Sequence, residues 1–495
     1  MLCYNTAMKI ATCAAVRKAE QAAFLSGATD SLALMDAVVE CMWQAVQDAP
    51  ELQFEPSQVV VYAGKGNNAG DALGLAARFR CPIILRAACG PHELSPDTQV
   101  QLARIPQHHL AATAPHPRPG TLIIDGLLGS GAKGALREPY THLVQEMNNL
   151  RAAAPRSILL AVDIPTGLDA DTGAAQCPSV QADVSCPIGC VKPGMLADGA
   201  ENYVGRLLPI PLPGIAIEAC SPDTVLTPAH PGLRIPRRAY SCFKNRAGRV
   251  NIVAGSVGYA GAAQMCAEAA LAAGAGLVAL YCLPDVYPIL AARVAPEIMV
   301  QPVRSYADVP TTGAQAWLIG PGLGAPPAAN RLALQQLILR AEGALVLDAD
   351  ALNLAAKLGW TLPPHAILTP HPGEMQRLMS TYVPGVQPAT RRETARLFVQ
   401  NCPCTLLLKG ARSIITNGTH TFYNSTGGPY MACGGQGDVL AGVIAALAAQ
   451  GMQAFQAATA AAHACGLAAA TAWCHRGSPP SVRPTQLLEF LPRFL

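Results

Sequence analysis

Along the chain the hydrophobic positions gather in short aliphatic runs separated by stretches of helix length, and this alternation occurs twice. The first series is residues 58–63, 82–86, 121–125, 157–163 and 182–185. These runs are nearly unbroken rather than alternating apolar with polar, which predicts strands of a parallel sheet covered on both faces. Between residues 208 and 238 the pattern stops, because Pro209, Pro211, Pro213, Pro222, Pro228, Pro231 and Pro236 exclude regular helix and a central strand. A second series then begins, at 249–254, 277–283, 317–320, 344–348, 366–369 and 405–408. The expected architecture is α/β throughout, with one domain over 1–215, a Pro-rich linker over 216–238 and a second domain over 239–495. Two Ala-rich tracts, 262–283 and 440–473, approach the length of a membrane span, but Glu268 interrupts the first and Gln450, Gln453, Gln456 and His463 the second. Packed helices are expected there, and no membrane contact.

Composition narrows the function class. Of 495 residues, 51% are apolar and 14% charged, which excludes disorder. Thirty-five basic against thirty-two acidic side chains leave a net charge of +3 without long runs, too little for nucleic-acid binding as the main task. A small-molecule enzyme is left as the leading class, with further copies of itself as the expected protein partner. The 17 cysteines are odd in number and include no CxxC pair, so they read as reduced, mostly buried small hydrophobes of a cytoplasmic protein.

In parallel sheets ligands sit outside the carboxyl ends of strands, so the chemistry is sought where the aliphatic runs stop. After the run at 58–63 comes GKGNNAGD, residues 64–71, opening a helix expected over 72–79. Glycines at such a turn let backbone N–H groups approach an anion at a helix start. The spacing is GxGxxxG, one residue longer than the dinucleotide fingerprint, whereas Gly129 to Gly134 does fit GxGxxG. Asp125 and Asp163 both end strand-like runs, where an Asp either caps the next helix or faces a ligand. With Asn68 and Thr166 they form a set of hard oxygen donors, suited to an alkali or alkaline-earth cation rather than zinc.

GKGNNAGD, IIDGLLGSGAKG, VDIPTG and VKPG, in this order, resemble the NAD(P)H-hydrate epimerases, whose domain is Rossmann-like. The resemblance implies that Asn67, Asn68, Ala69, Gly70 and Asp71, with Gly129, Ser130, Gly131, Ala132, Lys133, Gly134 and Ala135, hold a hydrated dinucleotide. It also implies that Asp163 contacts this substrate and that Asn68, Asp125 and Thr166 ligate potassium. The family usually reads NNGGD and IPSG, where this chain has Ala69 and Thr166; a left-handed backbone at Ala69 would be strained. Because the ring nitrogen of a reduced nicotinamide hydrate pushes hydroxide out, an acid near the leaving oxygen is the main need. Asp163 is the candidate, with Lys192 as helper.

In the second half, Gly434-Gly435-Gln436-Gly437-Asp438 runs directly into an Ala-rich helix. Glycines there free N–H groups for a phosphoryl group in flight, and Asp438 in the first turn would accept a proton from a hydroxyl. No Walker A motif is present, which excludes P-loop chemistry. The run at 405–408 is closed by Lys409-Gly410-Ala411-Arg412-Ser413, either a nucleotide-phosphate turn or an ordinary hairpin. His371 follows another run, where a single His is more often a structural residue than a ligand contact. With the segments 255–263, 273–278, 320–324 and 347–352, these features resemble the ribokinase-like NAD(P)H-hydrate dehydratases. The resemblance assigns Ala262, Gly322, His371 and Asp438 to the hydrate, and Lys409, Gly410, Ala411, Arg412, Ser413 and Gly437 to ADP, which carries Mg2+. Relatives read Ser-His-Lys-Gly where this chain has Cys242-Phe243-Lys244-Asn245, and Cys433 stands where a hydroxyl residue is common. The expectation is a bifunctional repair enzyme for hydrated NADH and NADPH, with a potassium-dependent epimerase followed by an ADP-dependent dehydratase that yields AMP and phosphate. The competing reading is a ribokinase-like kinase of a small alcohol, such as a thiazole or pyrimidine precursor, with a fused binding domain.

Overall fold

The computed structural model describes residues 7–132, 134–227, 230, 233, 235 and 238–495. Lys133, one of the expected substrate contacts, and Pro228, Pro231 and Pro236 of the expected linker lie outside the described residues. The chain divides into two compact units, Met1–Ala229 and His230–Leu495.

The first unit holds strands β1 (Met8–Lys9), β2 (Gln58–Ala63), β3 (Ile83–Ala87), β4 (Thr121–Gly126), β5 (Ile158–Val162), β6 (Val184–Cys186), β7 (Arg206–Leu207) and β8 (Thr224–Val225). Its helices are α1 (Cys13–Leu25), α2 (Ser31–Asp48), α3 (Asn67–Ala76), α4 (Pro96–Ala103), α5 (Tyr140–Ala153) and α6 (Glu201–Val204). Six strands form one parallel sheet in the order β3-β2-β4-β5-β6-β7. The unbroken aliphatic runs follow from burial on both faces. Val59, Val61 and Ile124 pack with Val38, Met42 and Leu73 of α2 and α3, whereas Val60, Tyr62 and Ile123 pack with Leu143, Val144 and Met147 of α5.

Two expectations change here. The helix after β2 begins at Asn67 rather than 72 and ends at Ala76, so Ala69 is helical and buried, and the left-handed strain expected of it does not arise. Residues 217–225 are no free connector either. Ile217 is buried in the first core, the Cys220 N–H donates to Ile10 O at 2.9 Å, and β8 pairs antiparallel with β1. Prolines exclude regular structure around them but do not prevent extended backbone from being tied to a neighbouring segment.

The second unit holds β9 (Arg249–Val253), β10 (Leu277–Cys282), β11 (Ile298–Pro302), β12 (Ala316–Ile319), β13 (Ala344–Leu347), β14 (Ala366–Leu368), β15 (Thr405–Leu408), β16 (Ile414–Thr416) and β17 (Thr421–Tyr423). They line up as β17-β16-β15-β14-β13-β12-β9-β10-β11. All neighbours are parallel except β15 with β16 and β16 with β17. The helices are α7 (Ala260–Ala272), α8 (Tyr287–Ala291), α9 (Ala328–Arg340), α10 (Asp350–Leu358), α11 (Pro372–Tyr382), α12 (Arg391–Asn401), α13 (Gln436–Ala449), α14 (Ala454–His475) and α15 (Pro484–Phe490).

The first Ala-rich tract is therefore α7, a turn and β10, and the second is α13 and α14. The Ala and Gly content is what lets α7 and α13 touch backbone to backbone: a Cβ placed on Gly442 would lie 2.2 Å from Cys266 O. Among the described residues no helix is long and apolar enough to cross a membrane.

Candidate active sites

In the first unit, functional side chains leave the carboxyl ends of β4 and β5, where the sheet stops pairing and the backbone turns toward the N-terminus of α3. Asp125, the fifth residue of β4, is wholly buried. Its Oδ1 accepts from the Leu127 N–H at 3.1 Å and the Thr166 hydroxyl at 2.8 Å, and its Oδ2 from the Thr166 N–H at 2.8 Å. Thr166 Oγ1 accepts in turn from the Leu128 N–H at 3.1 Å. Burial pushes the Asp125 carboxyl up to about 6 despite these donors. Asn68 lies on the other side of the same loop, its Oδ1 3.3 Å from where a Cβ on Gly129 would stand, and its buried Nδ2 has no hydrogen-bond partner among the described residues.

Asp163 directly follows β5 with φ of 62°, a left-handed backbone that is uncommon for a residue with a side chain and that turns its carboxylate back over the strand end. Its Oδ2 accepts from the Ser130 N–H at 3.2 Å, and its Oδ1 accepts from the Ile188 N–H at 3.2 Å and from the Lys192 ammonium. Lys192 is itself 1% exposed and also donates to Ile188 O at 2.9 Å. Burial by itself would lower the Lys192 pKa, but Asp163, with Cys190 and Cys13, raises it above the ordinary lysine value, so the ammonium keeps its proton. Two further carboxyls lie within electrostatic reach. Asp71 on α3 is pushed well above the usual carboxylate range by burial and by Asp163 and Glu20. Glu20 on α1 is raised by burial and by Asp163, with Lys192 and Arg17 opposing.

The expected contacts thus divide. Asn68, Asp125, Thr166, Ser130 and Asp163 are brought together around the 126–130 loop, with Lys192 added from the segment after β6. Asn67 is turned elsewhere: its Nδ2 reaches Ser31 Oγ at 3.5 Å and its Oδ1 accepts from Ser95 Oγ at 3.3 Å. Glu20 carried no sequence signal, since only folding brings α1 to this loop.

The second unit builds its cluster at the carboxyl ends of β13, β14 and β15 and the start of α13. Gly435, with φ of 96°, caps α13, and Asp438 stands in its first turn. Burial raises the Asp438 carboxyl to about 7; Asp348, Asp350 and Glu374 add to the rise, and Lys409 opposes it. Asp348, one residue past β13 and 1% exposed, accepts on Oδ1 from Lys409 Nζ at 2.8 Å and from the Thr369 hydroxyl at 2.8 Å. His371 is the N-cap of α11, its Nδ1 accepting from the Gly373 N–H at 3.0 Å and the Glu374 N–H at 3.4 Å. Glu374 answers by accepting from the His371 N–H at 2.8 Å on Oε2, and its Oε1 stands 3.4 Å from His371 Nε2. This reciprocal capping fixes the imidazole, half exposed, beside the cluster.

Gly322 and Ala262 are also neighbours: with φ of 61°, Gly322 lies so close that a Cβ on it would meet Tyr259 O at 2.8 Å and Ala262 Cβ at 3.0 Å, a position only glycine fills. The turn at 409–413 joins β15 to β16 as an antiparallel hairpin. Gly410 and Ala411 are exposed at its tip, Arg412 has φ of 53°, Ser413 Oγ donates to Gly410 O at 3.2 Å and Arg391 Nη1 donates to Ala411 O at 2.7 Å. Lys409 differs from the rest of this turn, pointing inward, 19% exposed, with Gly437 beside its ammonium. Asp348, Asp350 and Glu374 were missed as site residues. The available signal was a strand run ending in Leu-Asp-Ala-Asp and a Glu three residues after His371.

A family described as NAD(P)H-hydrate dehydratase matches residues 250–493, and one described as YjeF-related protein N-terminus matches residues 31–194. The chain is similar to a bifunctional NAD(P)H-hydrate repair enzyme of Leishmania braziliensis, 33% identical over 524 residues that cover 96% of this chain and 92% of that one. A bifunctional NAD(P)H-hydrate repair enzyme of Coxiella burnetii is 34% identical over 415 residues, covering 80% and 82%. Among solved structures, an ADP/ATP-dependent NAD(P)H-hydrate dehydratase from Bacillus subtilis co-crystallized with ATP/Mg2+ is 28% identical, with a TM-score of 0.48, and covers 55% of this chain and 96% of that one.

Proposed function

The chain belongs to the bifunctional NAD(P)H-hydrate repair enzymes, and from that premise we propose how its own residues divide the work. The first unit interconverts the R and S hydrates of NADH and NADPH; the second returns the S hydrate to the reduced dinucleotide using ADP.

In the first unit the lone pair of the ring nitrogen expels hydroxide from the neighbouring carbon, leaving a ring cation to which water returns on either face. The Asp163–Lys192 pair manages the proton at that oxygen: Lys192 holds it, and Asp163, fixed by its backbone donors, aligns the hydroxyl. Asp71, whose protonated form is favoured by burial and by Asp163 and Glu20, supplies a hydrogen-bond donor to the same substrate. The residues present fit a potassium ion. Among the described residues no three of His, Cys, Asp or Glu gather as a metal site, so a cation depends on the mixed oxygens of Asn68, Asp125 and Thr166. Asp125 is buried without a counter-charge, and the Asn68 Nδ2 has no hydrogen-bond partner among the described residues to hold the amide in another orientation. Bound there, potassium would neutralise Asp125 and hold the loop that carries Ser130.

In the second unit Asp438 takes the proton of the ring hydroxyl, whose oxygen attacks the terminal phosphorus of ADP while AMP leaves. The N–H groups of residues 434–437 receive the charge in transit. Phosphate then departs, pushed by the ring nitrogen, and loss of a proton from the adjacent carbon restores the ring double bond. Magnesium accompanies the nucleotide phosphates in this reading, the carboxylates Asp348 and Glu374 being already turned to Lys409.

The observation that supports this most directly is the position of Asp438 in the first turn of a glycine-led helix, where burial lifts its carboxyl to about 7, suited to taking a proton near neutrality. Incubating the protein with hydrated NADH and ADP, ATP or neither should restore nicotinamide absorbance only with nucleotide. Without nucleotide, potassium buffer should equalise the R and S forms faster than tetramethylammonium buffer. Phosphorylation of a thiazole or pyrimidine alcohol without any action on the hydrate would replace this reading with the kinase one.

A further inference from the structure

Lys409 ends β15, and its side chain does not follow the hairpin outward. Its ammonium donates to Asp348 Oδ1 at 2.8 Å and stands 4.0 Å from Glu374 Oε2. A Cβ placed on Gly437 would lie 3.2 Å from this nitrogen and 4.0 Å from Asp348 Oδ2, so the ammonium lies against the residue that precedes Asp438. Both carboxylate partners are fixed: Asp348 by the Thr369 hydroxyl, Glu374 by the His371 N–H.

We propose that Lys409 is a positioning residue for dehydration, the counter-charge that keeps Asp438 able to accept the hydroxyl proton, rather than a clamp on the nucleotide phosphates. This rests on the reading of Asp438 as the base. The groups that act on Asp438 are Asp348 and Asp350 from the β13–α10 turn, Glu374 from α11, Lys409 from the end of β15 and the Cys266 thiol from α7. Three are carboxyls and one is a cation. Burial and the three carboxyls favour the protonated form of Asp438; Lys409 alone opposes them, and the balance falls near neutrality. With Lys409 neutralised, the protonated form of Asp438 would be favoured further, and its capacity to take the proton from the substrate at neutral pH would fall. Gly410 and Ala411 at the hairpin tip remain exposed and available to the nucleotide, whereas Lys409 at the start of the same turn is directed inward.

The test is the pH dependence of dehydration at saturating hydrate and Mg-ADP in the full-length protein. For Lys409→Met the acidic limb of kcat should move to higher pH by about one unit or more, with activity down about tenfold at neutral pH and recovered at alkaline pH. The KM for ADP should change less than about threefold. Lys409→Arg, which keeps the charge, should hold the limb near its original place. Asp348→Asn, which removes one carboxylate and releases the ammonium toward Asp438, should move the limb the other way. A melting temperature of the second unit equal to that of the parent protein reports that the fold around residue 409 is intact, and if Lys409→Met does not fold, the Asp348→Asn limb decides alone. A limb that stays put in Lys409→Met while the KM for ADP rises tenfold would make Lys409 a phosphate ligand and overturn the proposal. Asp438→Asn separates the two layers. If it is inactive while the Lys409→Met limb is unmoved, only the role of Lys409 fails; if it turns over nearly normally, Asp438 is not the base and both fail.

Discussion

Asp71 is buried where a negative charge is least welcome, with Asp163 and Glu20 near it and no ion-pair partner among the described residues. Its folded-state pKa lies above its unfolded value, so folding is coupled to proton binding: the contribution to stability is full at low pH and is lost as pH rises from the ordinary carboxylate range through the raised folded value. At neutral pH the first unit therefore folds with a carboxyl that costs it stability, which is understandable at a substrate contact and hard to explain in a core. Asp71→Asn is neutral at every pH. It should raise the temperature at which epimerisation is lost on heating and flatten its pH dependence. The same change should raise the KM for the hydrate about tenfold, as expected for one misplaced hydrogen bond. A variant with unchanged stability and unchanged KM would make Asp71 a bystander.

Among the elements, the strands written as buried aliphatic runs were legible in sequence, and the two-residue strands and the exposed edge strand were not. The run at 58–63 coincides with β2 and the run at 405–408 with β15, because a strand buried on both faces is written as unbroken aliphatic residues. β1, β7 and β8 have two residues each and no periodicity to read, and β11 is largely exposed at the sheet edge. Site residues at strand ends, such as Asp125 and Asp163, were legible for the same reason as the strands. The approach of Glu20 to Lys192 was not, because it is made by the packing of α1, and neither was the inward turn of Lys409, because a Lys-Gly turn specifies the backbone but not where the ammonium lies. The Ala-rich tracts show how ambiguous composition alone remains: read as helix, they contain a strand, and their small residues serve helix contact rather than helix propensity. Gly442→Val tests that contact. With Cys266 O only 2.2 Å from the first added carbon, α7 and α13 must separate, which should cost about 3 kcal/mol or more, seen as a lower melting temperature of the second unit. Because α13 carries Asp438 at its start, dehydration should fall while epimerisation persists. A melting temperature equal to that of the parent protein would mean that the two helices have room to spare.

At the scale of the molecule, the question is where the first unit ends. The prolines suggested residue 215, but Ile217, Val225 and Leu226 are at most 6% exposed, and Thr224–Val225 pairs with Met8–Lys9 near the other end of the unit. Losing Ile217 from the first core forfeits about 1.5–3 kcal/mol of the roughly 5–15 kcal/mol that holds a domain folded, and removing β8 leaves β1 without its pairing strand. A fragment of residues 1–227 should therefore be soluble and epimerise hydrated NADH, melting close to the loss of epimerisation in the full-length chain. A fragment of residues 1–215 should melt far lower or fail to fold, although it contains every residue of the first site. Equal melting temperatures for the two fragments would mean that Ile217 and the β1–β8 pairing do not stabilise the first unit.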